Sequence, residues 1–317
     1  PVWLNLVGRS CSQSETPRTM SSLEGPEEVS GAMRAGIALG YAGLLAVNGI
    51  YGAGAFGVPT NAVISAAYPS AVTPAGFTFA IWGPIFLLQM GGTLFIASGG
   101  APAASAAVVP AWLAGWAAEV AWQLVFALAP LPAASATPSQ RLAVLAPASV
   151  LLLAAYGSML AAALRLRHAL MSQPTSSPMA VSVLLALPTG LNAAWLAAAS
   201  GIGFTLVAQV TPALKSLAKP QGGAVLLGVL VAASAGIAPM LGRTPRTLAL
   251  GIGYAAATAW ACFGMTKGDS PGAVKSVAEV GVKVAMLSGL GAIALASVSL
   301  FGGISKSDAK PLLGNDN

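Results

Sequence analysis

Long apolar stretches broken by isolated charges set the pattern of this chain. No Asp, Glu, Lys or Arg occurs from residue 35 to residue 118. Only eight occur between 35 and 266: Glu119, Arg141, Arg165, Arg167, Lys215, Lys219, Arg243 and Arg246. A helix needs about 20 predominantly apolar residues to cross the hydrocarbon core of a bilayer. The charges therefore act as punctuation. The stretches between them predict helices at 32–55, 74–98, 108–130, 142–164, 180–206, 223–241 and 247–266. An eighth is open at 284–303, because no charge occurs from Val284 to Ser305. The long alternation of a membrane β-strand is absent, and Ala, Gly and Leu dominate. The pattern predicts an all-α integral membrane protein, a bundle of seven to eight transmembrane helices.

Composition strengthens that picture. Of 317 residues 56 % are hydrophobic and 8 % charged, and the mean hydropathy is +0.77. A soluble domain carries about 25 % charged residues. The balance excludes a soluble enzyme, a disordered chain and a nucleic-acid binder, although the net charge is +6. The ends differ: residues 1–34 hold seven charges and residues 267–317 hold nine. The chain divides into a polar N-terminal tail (1–31), a seven-helix membrane domain (32–266), a linker with the possible eighth helix (267–305) and a polar C-terminal tail (306–317). The Ser/Thr-rich stretch 10–30 reads as a solvated tail or the remnant of a targeting peptide, with Met20 as an alternative start. With seven spans, Arg34, Arg165, Arg167, Arg243 and Arg246 collect on the N-terminal side, against Arg141, Lys215, Lys219 and Lys267 on the other. That excess of one leans towards an N-terminus inside.

Catalytic chemistry finds few residues to use. Cys11 lies in the tail and Cys262 in a predicted span, so neither a disulfide nor a zinc spacing is expected. The single histidine, His168, follows Arg165 and Arg167 at a helix end and reads as interfacial. No phosphate-binding or dinucleotide fingerprint occurs. The expectation is a non-enzymatic protein without a protein-bound metal. Ion coupling usually needs several intramembrane charges, and this chain has one at mid-span, Glu119.

Glu119 lies near the middle of WLAGWAAEVAWQLVFA. An ionised group there costs at least ~2.5 kcal/mol on insertion scales, so it should face protein. Trp112, Trp116, Glu119 and Gln123 follow i, i+4, i+7, i+11 and share one helix face, with Trp122 beside it. Indoles around a carboxylate and an amide suit a flat, conjugated ligand. The plainer alternative is a helix–helix interface in which Glu119 bonds Gln89 or Asn192. The 74–98 span repeats the theme with Trp82, Phe86 and Gln89 at i, i+4, i+7, and Phe79 above them. Pro74 suits a helix entry, and Pro84 should bend the span. Asn192 and Trp195 share a face of the fifth span. Trp260 has no evident polar partner and reads as lipid-facing or core.

Three segments resemble the tryptophan-rich sensory protein/translocator protein (TspO/MBR) family. PAGFTFAIWGPIF (Pro74–Phe86) is similar to the family's aromatic segment, closest to the longer, divergent branch in which the Phe and Trp are three apart, as Phe79 and Trp82 are. AAEVAWQLVF (Ala117–Phe126) is similar to a family helix with a polar residue three before a Trp. LPTGLNAAWLAAAS (Leu187–Ser200) is similar to a late helix with Trp before small residues. The order agrees over residues 32–266. The chain departs in carrying Glu119 at the usual polar position and in having seven or eight helices against the family's five. The resemblance implies a bundle that binds a porphyrin or heme, or a sterol- or lipid-like molecule, in a central pocket. Its contacts would come from Phe79, Trp82, Phe86, Gln89, Trp112, Trp116, Glu119, Trp122, Gln123, Asn192 and Trp195.

A fainter likeness lies near the C-terminus. AEVGVKVAMLSGLG (Ala278–Gly291) resembles a light-harvesting antenna helix, with Lys283 in place of the Arg and a spacing one residue short. That resemblance implies Glu279 as a chlorophyll ligand. It opens a second expectation: an accessory, pigment-binding subunit of a photosynthetic membrane supercomplex, with chlorophyll and carotenoid in its grooves. A small-molecule transporter is the third, although no inverted repeat is evident. The expected partners are membrane lipids, a hydrophobic small molecule and, in the second reading, a larger membrane complex, with no nucleic acid. The membrane would be the plastid thylakoid, that of another organelle or the plasma membrane.

Overall fold

The computed structural model describes residues 29–173 and 178–307, with side chains through residue 300. The assigned tails, 1–31 and 306–317, fall almost wholly outside the described residues. Among these residues there are helices and no strand. The helices are α1 (Gly31–Ala53), the short α2 (Asn61–Ala67), α3 (Gly76–Ala97), α4 (Pro102–Phe126), α5 (Pro138–Ser172), α6 (Met179–Val210), α7 (Pro220–Leu241), α8 (Leu248–Lys267) and α9 (Gly272–Ser307). All but α2 are long and apolar enough to cross a membrane, which makes eight such helices among the described residues.

Local chemistry explains where the helices start. The Ser30 hydroxyl accepts the Met33 amide at 3.2 Å and caps α1; Thr60 does the same for α2 through the Val63 amide at 3.3 Å. Thr137 and Gln140 form a capping box at α5. Pro102, Pro138 and Pro220 open their helices, where a missing N–H costs nothing. α3 starts as a 3-10 helix, Gly76–Ile81, and turns α-helical at Trp82. Pro84 thus falls in the first α turn, and the bend expected there is replaced by the 3-10-to-α switch.

In α6, Ser182–Ala186 form a π turn directly ahead of Pro188. Proline has no N–H for the carbonyl four residues back, which is that of Leu184. That carbonyl packs on Gly92 of α3, where an added Cβ would stand 2.4 Å from it.

α4 packs between α1 and α5, α5 packs on α6, and α3 closes the group against α1 and α6. The remaining three helices add a second layer: α8 lies on α6, and α9 lies over α7 and α8. α6 is central, with 61 % of its most apolar window buried, the largest share of the eight. The α6–α8 crossing is made by glycines. A Cβ on Gly190 would sit 2.2 Å from the Leu250 carbonyl, and one on Gly253 would sit 2.5 Å from the Leu187 carbonyl. Backbone therefore touches backbone, as small residues allow between membrane helices.

Three expectations change. The last helix begins at Gly272, not near 284, because Lys275, Glu279 and Lys283 are good helix residues that mark span ends without breaking a helix. The eighth span also brings Lys275 and Lys283 towards the side of Lys267, which removes the basic excess on the N-terminal side. Trp260 does have a polar partner: its Nε1 donates to the Thr78 carbonyl at 2.7 Å, and Phe77 meets its ring edge-on.

Candidate functional site

The membrane end where α1 finishes and α3 begins carries the site. There the Phe79 and Trp82 rings approach Trp195 edge-on, with centroids 5.7 and 6.1 Å away. Phe86 stacks behind Trp82 at 5.2 Å. Trp122 of α4 stacks on Phe126 at 5.3 Å. Phe79, Trp82, Trp122 and Trp195 all line one slot of about 80 Å³, closed by Phe126, Leu145, Leu152, Ile202 and Leu206. Its walls are mostly apolar, with Asn61, Ser65, Tyr68, Thr73 and Ser149 as the polar members.

The slot continues into a wider vestibule of about 750 Å³, since Asn61, Ser65, Thr73, Phe79 and Trp82 line both. The vestibule adds Ser70, Lys267 and Asp269, so polar and charged groups stand at its mouth. Lys267 and Asp269 are exposed, and the Lys267 ammonium lies 5.6 Å from the Phe263 ring centroid. The arrangement is amphipathic: an aromatic slot within the bundle and a charged entrance.

α2 forms one wall, and hydrogen bonds hold it there. Asn61 and Gln123 exchange two amide hydrogen bonds, both 2.8 Å. The Tyr68 hydroxyl donates to the Pro130 carbonyl at 2.8 Å, and Gln209 donates to the Pro69 carbonyl at 2.8 Å. Burial pushes the Tyr68 phenol above its ordinary pKa, with the Arg141 charge pulling the other way; the hydroxyl keeps its proton at neutral pH and remains a donor.

The other candidates sit deeper and do not line the slot. Asn192 donates to a Glu119 carboxylate oxygen at 3.0 Å, joining α4 to α6. Of the two arrangements open for Glu119, this is the helix–helix interface, and Asn192 rather than Gln89 is the partner. The Trp112 indole donates to the Thr189 hydroxyl at 3.0 Å, and Trp116 packs between Trp112 and Tyr41. Gln89 is fully buried, and its amide has no hydrogen-bond partner among the described residues. Gln123 reaches the site only through Asn61. Glu279 is far from the slot, exposed on the outer face of α9.

Sequence reasoning missed Asn61, Ser65, Tyr68, Thr73, Lys267 and Asp269. For the first three a signal existed: Thr60 as a helix cap before NAVISAA. Nothing local marked Lys267 and Asp269, which the antiparallel run of α8 brings to the mouth.

Fold and site together define a polytopic helical membrane protein with an aromatic slot opening at one membrane face. More particularly, the chain belongs to the TSPO-like protein family, whose model matches residues 35–298 and so reaches from the first long helix into the last. No curated protein and no solved structure gives a significant match.

Proposed function

We propose that this protein binds, without converting it, a tetrapyrrole or lipid-like amphiphile at the slot and vestibule. The observation that carries this reading is the convergence of Phe79, Trp82, Trp122 and Trp195 on one cavity that continues into a charged mouth. The slot is too small for a whole macrocycle; it takes a ring edge or an alkyl group. The bulk of the ligand lies in the vestibule, with an anionic substituent near Lys267. Aromatic walls give such a ligand large contact area and favourable edge and face geometries.

The test is a titration of protoporphyrin into the full chain in lipid nanodiscs, following tryptophan quenching and the Soret band. One porphyrin per chain is expected, with at least threefold weaker binding in Lys267→Glu, because a like charge then faces the carboxylates. Unsaturable, non-stoichiometric quenching equal in empty nanodiscs contradicts the reading. A chlorophyll band that co-purifies and survives Trp82→Ala favours the pigment-bearing accessory subunit instead. A colourless protein that moves a solute across vesicles favours the transporter.

A further inference from the structure

The two membrane faces carry different cations. At the face away from the slot stand Arg34 at the start of α1, Arg165 and Arg167 near the end of α5, and Arg243 and Arg246 in the turn between α7 and α8. Among the residues whose side chains are described, this face has no lysine and no carboxylate. The described acids are Glu119 at mid-span, Asp269 at the vestibule mouth and Glu279 near the start of α9. Guanidinium groups without a carboxylate at a membrane surface attract an anion from outside the chain.

The fold draws three of these arginines together. Arg167 donates from Nε to the Met240 carbonyl at 3.0 Å, in the last turn of α7, and Arg246 donates to the Gln173 carbonyl just past α5. Arg243 lies in the chain between those two anchors and is exposed. The turn that carries it is braced. The Thr247 amide donates to the Thr244 carbonyl at 3.0 Å, the two threonine hydroxyls bond each other at 3.0 Å, and Pro245 stands between them. A guanidinium has five N–H groups in a planar fork that suits phosphate oxygens, and the Arg167 bond uses one of Arg167's.

Apolar side chains border the cluster. Leu164 and Met171 share the Arg167 face of α5 at i−3 and i+4. They and Met240 are 43, 46 and 42 % exposed. A soluble anion gains nothing from such neighbours, whereas an acyl chain does. We propose that Arg167 and Arg243, with Arg246 holding the turn against α5, bind the phosphate of an anionic phospholipid whose chains lie along Leu164 and Met240. Phosphatidylcholine offers the same phosphate but brings a cation towards the arginines, so the headgroup that fits is net negative. The site lies at the opposite face from the slot and does not depend on it.

Native mass spectrometry of the full chain in micelles, titrated with phosphatidylglycerol against an equal amount of phosphatidylcholine, tests this. Wild type is expected to retain one phosphatidylglycerol per chain in preference. A cation near a membrane surface contributes about fivefold to affinity for anionic lipid. Arg243→Gln, which breaks neither anchoring bond, is therefore expected to weaken retention about fivefold, and Arg167→Gln at least as much. Arg165→Gln removes the same charge from the same membrane face, on the opposite side of α5, and should stay within about twofold. No preference for phosphatidylglycerol in wild type overturns the proposal, and so does unchanged retention in Arg243→Gln. An equal loss in Arg165→Gln overturns it too, because the summed charge of the face would then be the cause. Displacement of the lipid by inorganic phosphate at the same concentration also overturns it, assigning the cluster to a free anion.

Discussion

Replacing Trp82 and Trp195 together by alanine is expected to weaken porphyrin binding by about ten- to one-hundredfold. Both rings line the slot, and they meet each other edge-on at 6.1 Å. Aromatic pairs contribute roughly 0.5–1.5 kcal/mol beyond the area they bury. Losing two such walls amounts to about 1–3 kcal/mol, and every 1.4 kcal/mol is tenfold in affinity. Trp116→Phe serves as the comparison. It alters a fully buried ring that packs on Trp112 and Tyr41, away from the slot, and it should leave affinity within about twofold. Tryptophan quenching and the Soret shift, read on nanodisc samples, give both affinities. Equal loss in Trp116→Phe would show that general destabilisation, not the slot, sets binding.

Gly253→Leu is expected to have the largest effect on stability, at least ~3 kcal/mol, seen as loss of the folded band or a large drop in thermal midpoint in mild detergent. Even a methyl there would stand 2.5 Å from the Leu187 carbonyl and 3.0 Å from the Leu191 amide. Those are backbone atoms of the central helix, and they cannot turn aside as a side chain can. Overpacking usually costs about 1–3 kcal/mol; a backbone clash at the central crossing belongs at or beyond the top of that range. Gly157→Leu is the control. Nothing lies within 4 Å of its added Cβ, and replacing a mid-helix glycine should leave the protein as stable or slightly more so.

The spans were readable from the sequence because charge is so costly in hydrocarbon that it clusters at helix ends. The same logic isolated Glu119 as a residue that must face protein, and it does, bonded to Asn192. It did not decide between Asn192 and Gln89, since helix periodicity gives a face and not the neighbour across from it. The aromatic corner of Phe79, Trp82 and Trp195 was visible because their segments are distinctive in composition. α2 was not: seven residues between two turns carry too little periodicity to stand out, although Thr60 marks its start. The Trp260 bond was hidden for a different reason. Its acceptor is the Thr78 carbonyl, inside a 3-10 turn that periodicity does not reveal. The beginning of α9 was misplaced because charge was taken as a boundary of the helix as well as of the apolar span. Glu279 and Lys283 belong to the helix and lie on its outer face, at the end of the charge-free stretch that begins at Val284.

The central claim is that the ligand lies in the slot and vestibule. Photo-crosslinking of a diazirine-bearing porphyrin to the full chain in nanodiscs, followed by peptide mapping, addresses it most directly. Labels are expected in the α2 segment between Asn61 and Thr73 and at Phe79 or Trp82, and free porphyrin should compete them away. Labels confined to the outer faces of α7 and α9, or undiminished by competitor, would contradict it.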